Sequence, residues 1–219
     1  MFSPTEENYL KCIYLQSEKN GVQPVTTNEI SEKMRTKAAS VTDMLKRLSD
    51  KRLIHYKKYQ GVLLTNAGES KALSVVRKHR LWEYFLVEKL KFQWDEVHAV
   101  AEELEHVNSD LLVDKLDAFL NHPKFDPHGD PIPDQLGKLS ASKFKNLSSL
   151  KVNEKGKVAA VIEQQPAFLK HLDKLHIHMS TPLKVIDCIE FDKSMTISIN
   201  HSSTVNISHD IAKNILISK

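Results

Sequence analysis

Apolar residues recur every three to four positions through the first fifty residues. Tyr9, Leu10, Ile13 and Tyr14 mark a helix over residues 4–18, with Ser3 or Thr5 able to cap it. Ile30 and Met34, four apart, mark a second helix over 27–34, capped by Thr26 or Thr27. After a tight turn at residues 36–39, Val41, Leu45 and Leu48 mark a third helix from about Ala39 to Lys51. The period then drops to two. Residues 53–56 and 61–64 read as short strands around the turn 57–61. Thr65 or Asn66 opens a long helix reaching about Leu90, and another helix runs from about Asp95 to Leu104 and beyond. Leu81, Trp82, Phe85, Leu86, Leu90, Val97, Val100, Leu111, Leu112, Leu116, Phe119 and Leu120 exceed what one small layer can bury, so they either form a subunit interface or pack wholly inside the protomer.

A compositional break follows. Pro123, Pro127, Pro131 and Pro133 fall within eleven residues, and 137–149 is polar and rich in Ser and Lys, as a linker would be. Beyond Leu150 the two-residue period returns in 157–162, 183–186, 195–199 and 204–207, with a short helix over 166–172. These short strands predict a small barrel. The fold class is therefore mainly α with a small β domain.

Helix, helix, turn, helix and basic hairpin is the order of a winged helix-turn-helix. Charge adds weight to that reading. The chain has a formal net charge of +3, but Arg35–Lys58 holds eight basic residues against only Asp43 and Asp50, leaving 23 basic and 26 acidic residues elsewhere. All the excess positive charge is one local phosphate-seeking patch. The third helix begins with small residues, Ala38, Ala39, Ser40 and Thr42, which let its N-terminal end approach a duplex. Ser40, Thr42 and Asp43 are placed to meet base edges, with Lys46 and Arg47 one turn on near phosphates, Lys37 and Ala39 also counted at this DNA face, and Lys57, Lys58 and Tyr59 at the hairpin tip.

Eleven histidines direct attention to metal chemistry. His79 and Glu83 are four apart on one predicted helix. On the next, with His98 at zero, a ~100° step per residue puts Glu102 near ~40°, Glu105 near about −20° and His106 near ~80°, all on one face. The two helices thus offer three imidazoles and three carboxylates, the donors that Mn²⁺, Fe²⁺ and Zn²⁺ prefer. The same spacing also suits a merely solvated polar face, which would leave a winged-helix regulator indifferent to metal. Glu103 and His106 formally fit the Glu-x-x-His of di-metal helical enzymes, but that motif needs two copies and the chain has no second. No nucleophile elbow, phosphate loop or zinc-hydrolase motif occurs, so the chain reads as not an enzyme and without a small-molecule substrate. No apolar run approaches a membrane span, the N-terminal stretch lacks signal-peptide patterning, and Cys12 and Cys188 suit a reducing compartment. A cytoplasmic location is the expectation.

Four segments carry a family resemblance: Thr5-Glu6-Glu7-Asn8-Tyr9-Leu10, Arg77-Lys78-His79-Arg80-Leu81 with Glu83, His98 through Glu102 to Glu105-His106-Val107, and Pro127-His128-Gly129-Asp130-Pro131-Ile132-Pro133. Over nearly its whole length the chain resembles the diphtheria-toxin-repressor family of iron- and manganese-dependent regulators. The resemblance implies a DNA-binding domain over 1–74, a helical metal-binding and dimerisation domain over 75–136, a linker over 137–150 and an SH3-like, FeoA-like domain over 151–219. It implies a homodimeric repressor of metal-uptake genes, bound to a palindromic operator and activated by Mn²⁺ or Fe²⁺, with Zn²⁺ or Co²⁺ able to substitute. Residue by residue, it assigns His79, Glu83 and His98 to an ancillary site, joined by Glu163 or Gln164 from the small domain. Glu102, Glu105 and His106, with Asn8, fall at the primary site, and Arg80 at an anion. Glu102 replaces the Cys of iron-responsive relatives and Asn8 their Met, which favours a hard ion. Lys11 stands where short manganese regulators carry a Glu ligand, which speaks against their paired-metal geometry.

Overall fold

A computed structural model describes residues 2–21, 23–57, 60–140, 144–200 and 202–218. The chain forms two compact units: Met1–His79 with Glu102–Asp114 and Pro133–Leu139, and Arg80–Ala101 with Lys115–Ile132 and Ser140–Lys219.

In the first unit, α1 (Pro4–Lys19) starts at Ser3. The Ser3 hydroxyl accepts from the Glu6 amide while the Glu6 carboxylate accepts from the Ser3 amide. Thr26 and Glu29 repeat this reciprocal cap at α2 (Thr27–Lys33). α3 (Ala38–Asp50) has no such side-chain cap, so its first turn keeps unclaimed N–H groups. β1 (Ile54–Lys57) and β2 (Gly61–Leu64) pair antiparallel, Ile54 opposite Leu64, and Val25 bridges to Val62. One core joins them: Tyr9, Leu10 and Ile13 from α1 pack with Ile30, Val41, Leu45, Leu48 and Val62. Each fully buried Leu there contributes about 1.5–3 kcal/mol. Three further helices follow, α4 (Asn66–Glu88), α5 (Val97–Leu104) and α6 (Asp110–Phe119).

The expected extension of the fifth helix through the ligand segment does not form. Helix α5 stops at Leu104, and Glu105 and His106 lie in the turn beyond it. Ser109 then caps α6, accepting from the Leu112 and Val113 amides through its hydroxyl and carbonyl. The periodicity that puts Glu102, Glu105 and His106 on one helical face therefore fails at its last two members, which leave the helix to reach buried partners.

The second unit is built on an antiparallel sheet in the order β3-β8-β4-β5-β6-β7. The strands are β3 (Lys145–Asn146), β4 (Lys155–Val161), β5 (Pro182–Cys188), β6 (Met195–Ile199), β7 (Ser203–Ile207) and β8 (Ile215–Ser218). Two helices accompany them, α7 (Pro166–Lys174) and α8 (His209–Lys213). β6 shows the pattern at its plainest: Met195, Ile197 and Ile199 face in, Thr196 and Ser198 do not. Register shifts between Val158 and Ala160 and between Val185 and Asp187 bend the sheet around Leu147, Leu169, Leu172, Ile197, Ile215 and Ile217. β3, α8 and β8 were not expected. β8 carries only three apolar residues in a row, Ile215, Leu216 and Ile217, without alternation in sequence, and its place beside β4 is set by partners remote in sequence. Among the described residues, no helix is long and apolar enough to cross a membrane.

Candidate metal centre and nucleic-acid face

Glu105 is the most buried acid of the first unit, with no exposed surface. Its Oε2 lies 2.6 Å from His79 Nδ1, and Lys11 Nζ lies 2.7 Å from each carboxylate oxygen. Burial pushes the Glu105 carboxyl up, but the His79 hydrogen bond and the charge of Lys11 outweigh it and hold the group below its ordinary value. Lys11 also lies 3.7 Å from Glu102, whose side chain is half exposed. Beside these groups, His106 Nδ1 is 2.6 Å from Glu7 Oε2, and Lys78 is 4.0 Å from the other Glu7 oxygen.

That contact defines the His106 ring. A carboxylate only accepts, so Nδ1–H is the donor and a neutral imidazole keeps its lone pair on Nε2. Nε2 is buried with no hydrogen-bond partner among the described residues, and so is Asn8 Oδ1. Glu105 Oε1 makes no hydrogen bond either; it lies 2.7 Å from Lys11 Nζ and 3.7 Å from His106 Nε2. A buried acceptor without a partner costs about 1–3 kcal/mol. An imidazole nitrogen in this condition beside a buried carboxylate suits a hard or borderline divalent cation, and an unbonded amide oxygen is a donor of the same kind.

The second unit holds a separate cluster. Ligand atoms of Glu83, Asp126 and His128 all lie within 4.8 Å of one another, and all three residues are buried. His128 Nε2–H donates to the Trp94 carbonyl at 2.9 Å, and its ring stacks on Trp94 at 6.3 Å. That leaves Nδ1 buried, unbonded and 3.6 Å from Glu83 Oε2. His98 Nδ1 meets the other Glu83 oxygen at 3.2 Å. Asp126 Oδ1 accepts from the His128 and Asp130 amides at 2.8 and 3.0 Å. Burial, then Glu83 and Asp130, push the Asp126 carboxyl up. Burial disfavours charge on His128, but the Glu83 and Asp126 carboxylates more than offset it and raise its pKa. A negative cluster that retains a proton is one where a cation can take the proton's place. Gly129 makes the loop possible: its φ is +89°, and a Cβ there would collide with the Ala159 carbonyl and Ala160, where the Val161 amide donates to the His128 carbonyl at 2.8 Å.

Two expectations change here. Arg80 was expected to hold an anion. Its Nε instead lies 3.6 Å from Asp126 and its NH2 group 3.6 Å from Asp130, while it donates to the Pro131 carbonyl at 2.6 Å. An added anion would face two carboxylates already neutralising the guanidinium, so Arg80 is an internal ion-pair partner. Glu163 falls outside the close Glu83 group, and Gln164 is engaged by Asp130. Glu163 accepts from the Gln165 amide, and Gln164 donates to Asp130 at 2.9 Å. The sequence reading passed over Glu7, Asp126 and His128 as donors. Glu7 precedes Asn8 in the first quoted motif, and Asp126 and His128 flank Pro127 in a stretch read as a boundary.

Lys37 just before α3, and Ala39, Ser40, Asp43, Lys46 and Arg47 on it, are exposed, as is Lys57 at the end of β1. The Thr42 hydroxyl is turned back, donating to the Ala38 carbonyl at 3.0 Å, and Lys46 lies 3.3 Å from Asp43. Lys58 and Tyr59 lie outside the described residues.

A winged helix with a basic recognition helix, a buried carboxylate–imidazole cluster and a small antiparallel sheet domain define a class: DNA-binding regulators with divalent-cation ligands. Family models match the iron dependent repressor N-terminal DNA binding domain over residues 1–62, the iron dependent repressor metal binding and dimerisation domain over 65–134, and the FeoA domain over 145–219. The chain belongs to the iron-dependent repressor family. It is 36% identical over 132 residues to the iron-dependent repressor IdeR of Mycobacterium leprae, covering 60% of this chain and 56% of that protein. The chain thus spans little more than half the length of the curated relatives it matches. It is similar to the structure of a manganese-dependent transcriptional repressor in complex with manganese (TM-score 0.82, 32% identity, 97% of this chain and 98% of that one). It is also similar to the manganese regulator SloR (TM-score 0.73, 34% identity, 100% of both chains).

Proposed function

We propose that this chain is a cytoplasmic, metal-activated repressor that binds a palindromic DNA operator as a homodimer and controls metal-uptake genes. The carrying observation is the buried His106 Nε2, which makes no hydrogen bond and lies 3.7 Å from the buried Glu105 carboxylate, together with Asn8 Oδ1 on α1, likewise buried without a hydrogen bond. Asn8, Glu102, Glu105 and His106 are the proposed primary ligands, with Glu7 orienting His106. Glu83 and His98, with Asp126 and His128, are the proposed second set. The resemblance adds His79 to it, and the boundary of the small domain is proposed at residue 151. The donors are nitrogen and oxygen without sulfur, which favours Mn²⁺ over Fe²⁺; the similarity to a manganese-bound repressor supports the same choice.

A bound divalent ion would supply charge that draws carboxylate, amide and imidazole donors into one shell. The chain's own residues do the rest. Asn8 lies on α1, and its neighbours Tyr9 and Leu10 pack in the same core as Val41, Leu45 and Leu48 of α3. Fixing Asn8 against the Glu102–His106 segment therefore fixes the orientation of the recognition helix. The size of this population shift equals the ion's differential affinity for the two arrangements. Exposed Leu111 and Leu112 in the first unit, and Leu90 and Phe119 in the second, are candidate dimer contacts.

The test is a mobility-shift titration with Mn²⁺, Fe²⁺ and chelator on the wild type and Glu105→Ala. Operator affinity should rise with metal in the wild type only. A metal response retained in Glu105→Ala, or tight binding after exhaustive chelation, overturns the proposal.

A further inference from the structure

Lys11 is a buried cation placed against the proposed primary ligands. It lies on α1, one turn from Glu7 and Asn8, and is 9% exposed. Its ammonium touches both Glu105 oxygens at 2.7 Å and lies 3.7 Å from Glu102. It thus competes for the same lone pairs that a divalent ion would use. We infer that Lys11 is a resident cation that holds this cluster to a single divalent ion and lowers the affinity for that ion. The inference rests on the metal reading above and adds a specificity-setting residue to it.

Charge counting supports it. Three carboxylates, Glu7, Glu102 and Glu105, face two ammoniums, Lys11 and Lys78, so with neutral imidazoles the cluster carries −1. One divalent ion brings it to +1, and a second would bring it to +3 in a buried site, where like charges repel strongly. Replacing Lys11 by a carboxylate makes the set −3, which two divalent ions leave at +1. Replacing it by a neutral side chain leaves −2, matched by one ion. Lys78 cannot substitute for Lys11, because it contacts Glu7 at 4.0 Å and is not bonded to Glu105. A long alkyl stem alone accounts for burial of Lys11, but not for an ammonium hydrogen-bonded to one oxygen of the most buried acid of the first unit and 2.7 Å from the other.

The experiment measures Mn²⁺ stoichiometry and affinity on the full chain by equilibrium dialysis and calorimetry. The background is His128→Ala, which silences the second cluster. Lys11→Met should keep the number of ions and bind at least about tenfold tighter, as expected when a like charge is removed from a shared carboxylate. Lys11→Arg should resemble wild type. Lys11→Glu should take up one further equivalent. Thermal melts in chelator report folding, and Lys11→Gln replaces Lys11→Met if the latter does not fold. Unchanged or weaker affinity in the neutral variants, or unchanged stoichiometry in Lys11→Glu, overturns the inference. A Glu105→Gln control separates the two layers. If it loses one ion while the Lys11 variants behave as wild type, only the role of Lys11 fails. If it loses none, the metal reading itself fails.

Discussion

Glu105→Gln should destabilise the protein in chelator, and Lys11→Met should do much the same for the complementary reason. The carboxylate has no exposed surface and the Lys11 side chain is 11% exposed, so solvent screening is slight. Removing one partner of a buried ion pair costs about 3–5 kcal/mol because the other charge stays desolvated. Gln preserves shape and one acceptor, so about 2–3 kcal/mol is expected, the scale of a hydrogen bond to a charged group. For a chain of this size, ~1 kcal/mol moves Tm by ~2–4 °C, which predicts a drop of about 4–12 °C. The assay is a thermal melt followed by circular dichroism in chelator, on both single variants and on Lys11→Met/Glu105→Gln. The double variant removes both charges together. It should be more stable than the sum of the single losses implies, by about 1–3 kcal/mol of coupling. Losses that add, or single losses below about 0.5 kcal/mol, would refute the buried pair. With Mn²⁺ at ~100 times Kd the wild type should gain about 2.7 kcal/mol, and Glu105→Gln little of it.

Acid should act through the same residue. The folded Glu105 carboxyl lies below its ordinary value of 4.5, so the unfolded state binds more protons across that window and stability rises with pH there. Its contribution is present above pH 4.5 and is lost as pH falls through the depressed value; urea midpoints in chelator should therefore fall less steeply in Glu105→Gln as pH is taken below 4.5. Gly129→Ala should cost several kcal/mol, since a Cβ meets the Ala159 carbonyl at a left-handed backbone; a Tm within ~2 °C of wild type would contradict that close approach. Arg47→Ala should weaken operator binding about equally across sequences and lower the slope of log K against log salt by about one, whereas Ser40→Ala should alter sequence preference and leave that slope alone. Cys12, whose buried thiol is pushed up to about 11, should resist alkylation at neutral pH while the partly exposed Cys188 reacts, as read by mass spectrometry of the intact chain.

Local chemistry was legible wherever one helix or hairpin carried all of it. Ser3 and Glu6, and Thr26 and Glu29, specify helix starts within a few residues. The spacing of Val41, Leu45 and Leu48 determines which face of α3 is buried and hence which residues are presented outward. The basic excess between Arg35 and Lys58 is arithmetic on the chain. The candidate donors Glu102, Glu105 and His106 were visible for the same reason, although their assumed helical geometry was not correct.

What the sequence by itself determined, then, is the winged helix, the strand-rich second half and the types of donor available. Each follows from periodicity, capping or composition, forces acting over a few residues. Only the tertiary structure decided the partners: Lys11 with Glu105 across 94 positions, Glu7 with His106 across 99, and β8 beside β4. It also turned Arg80 from an expected anion site into an ion pair with Asp126 and Asp130 and brought Asp126 and His128 beside Glu83. Long-range charge pairing depends on which buried groups the packed chain brings within a few ångströms in low dielectric, and sequence spacing carries no measure of that distance.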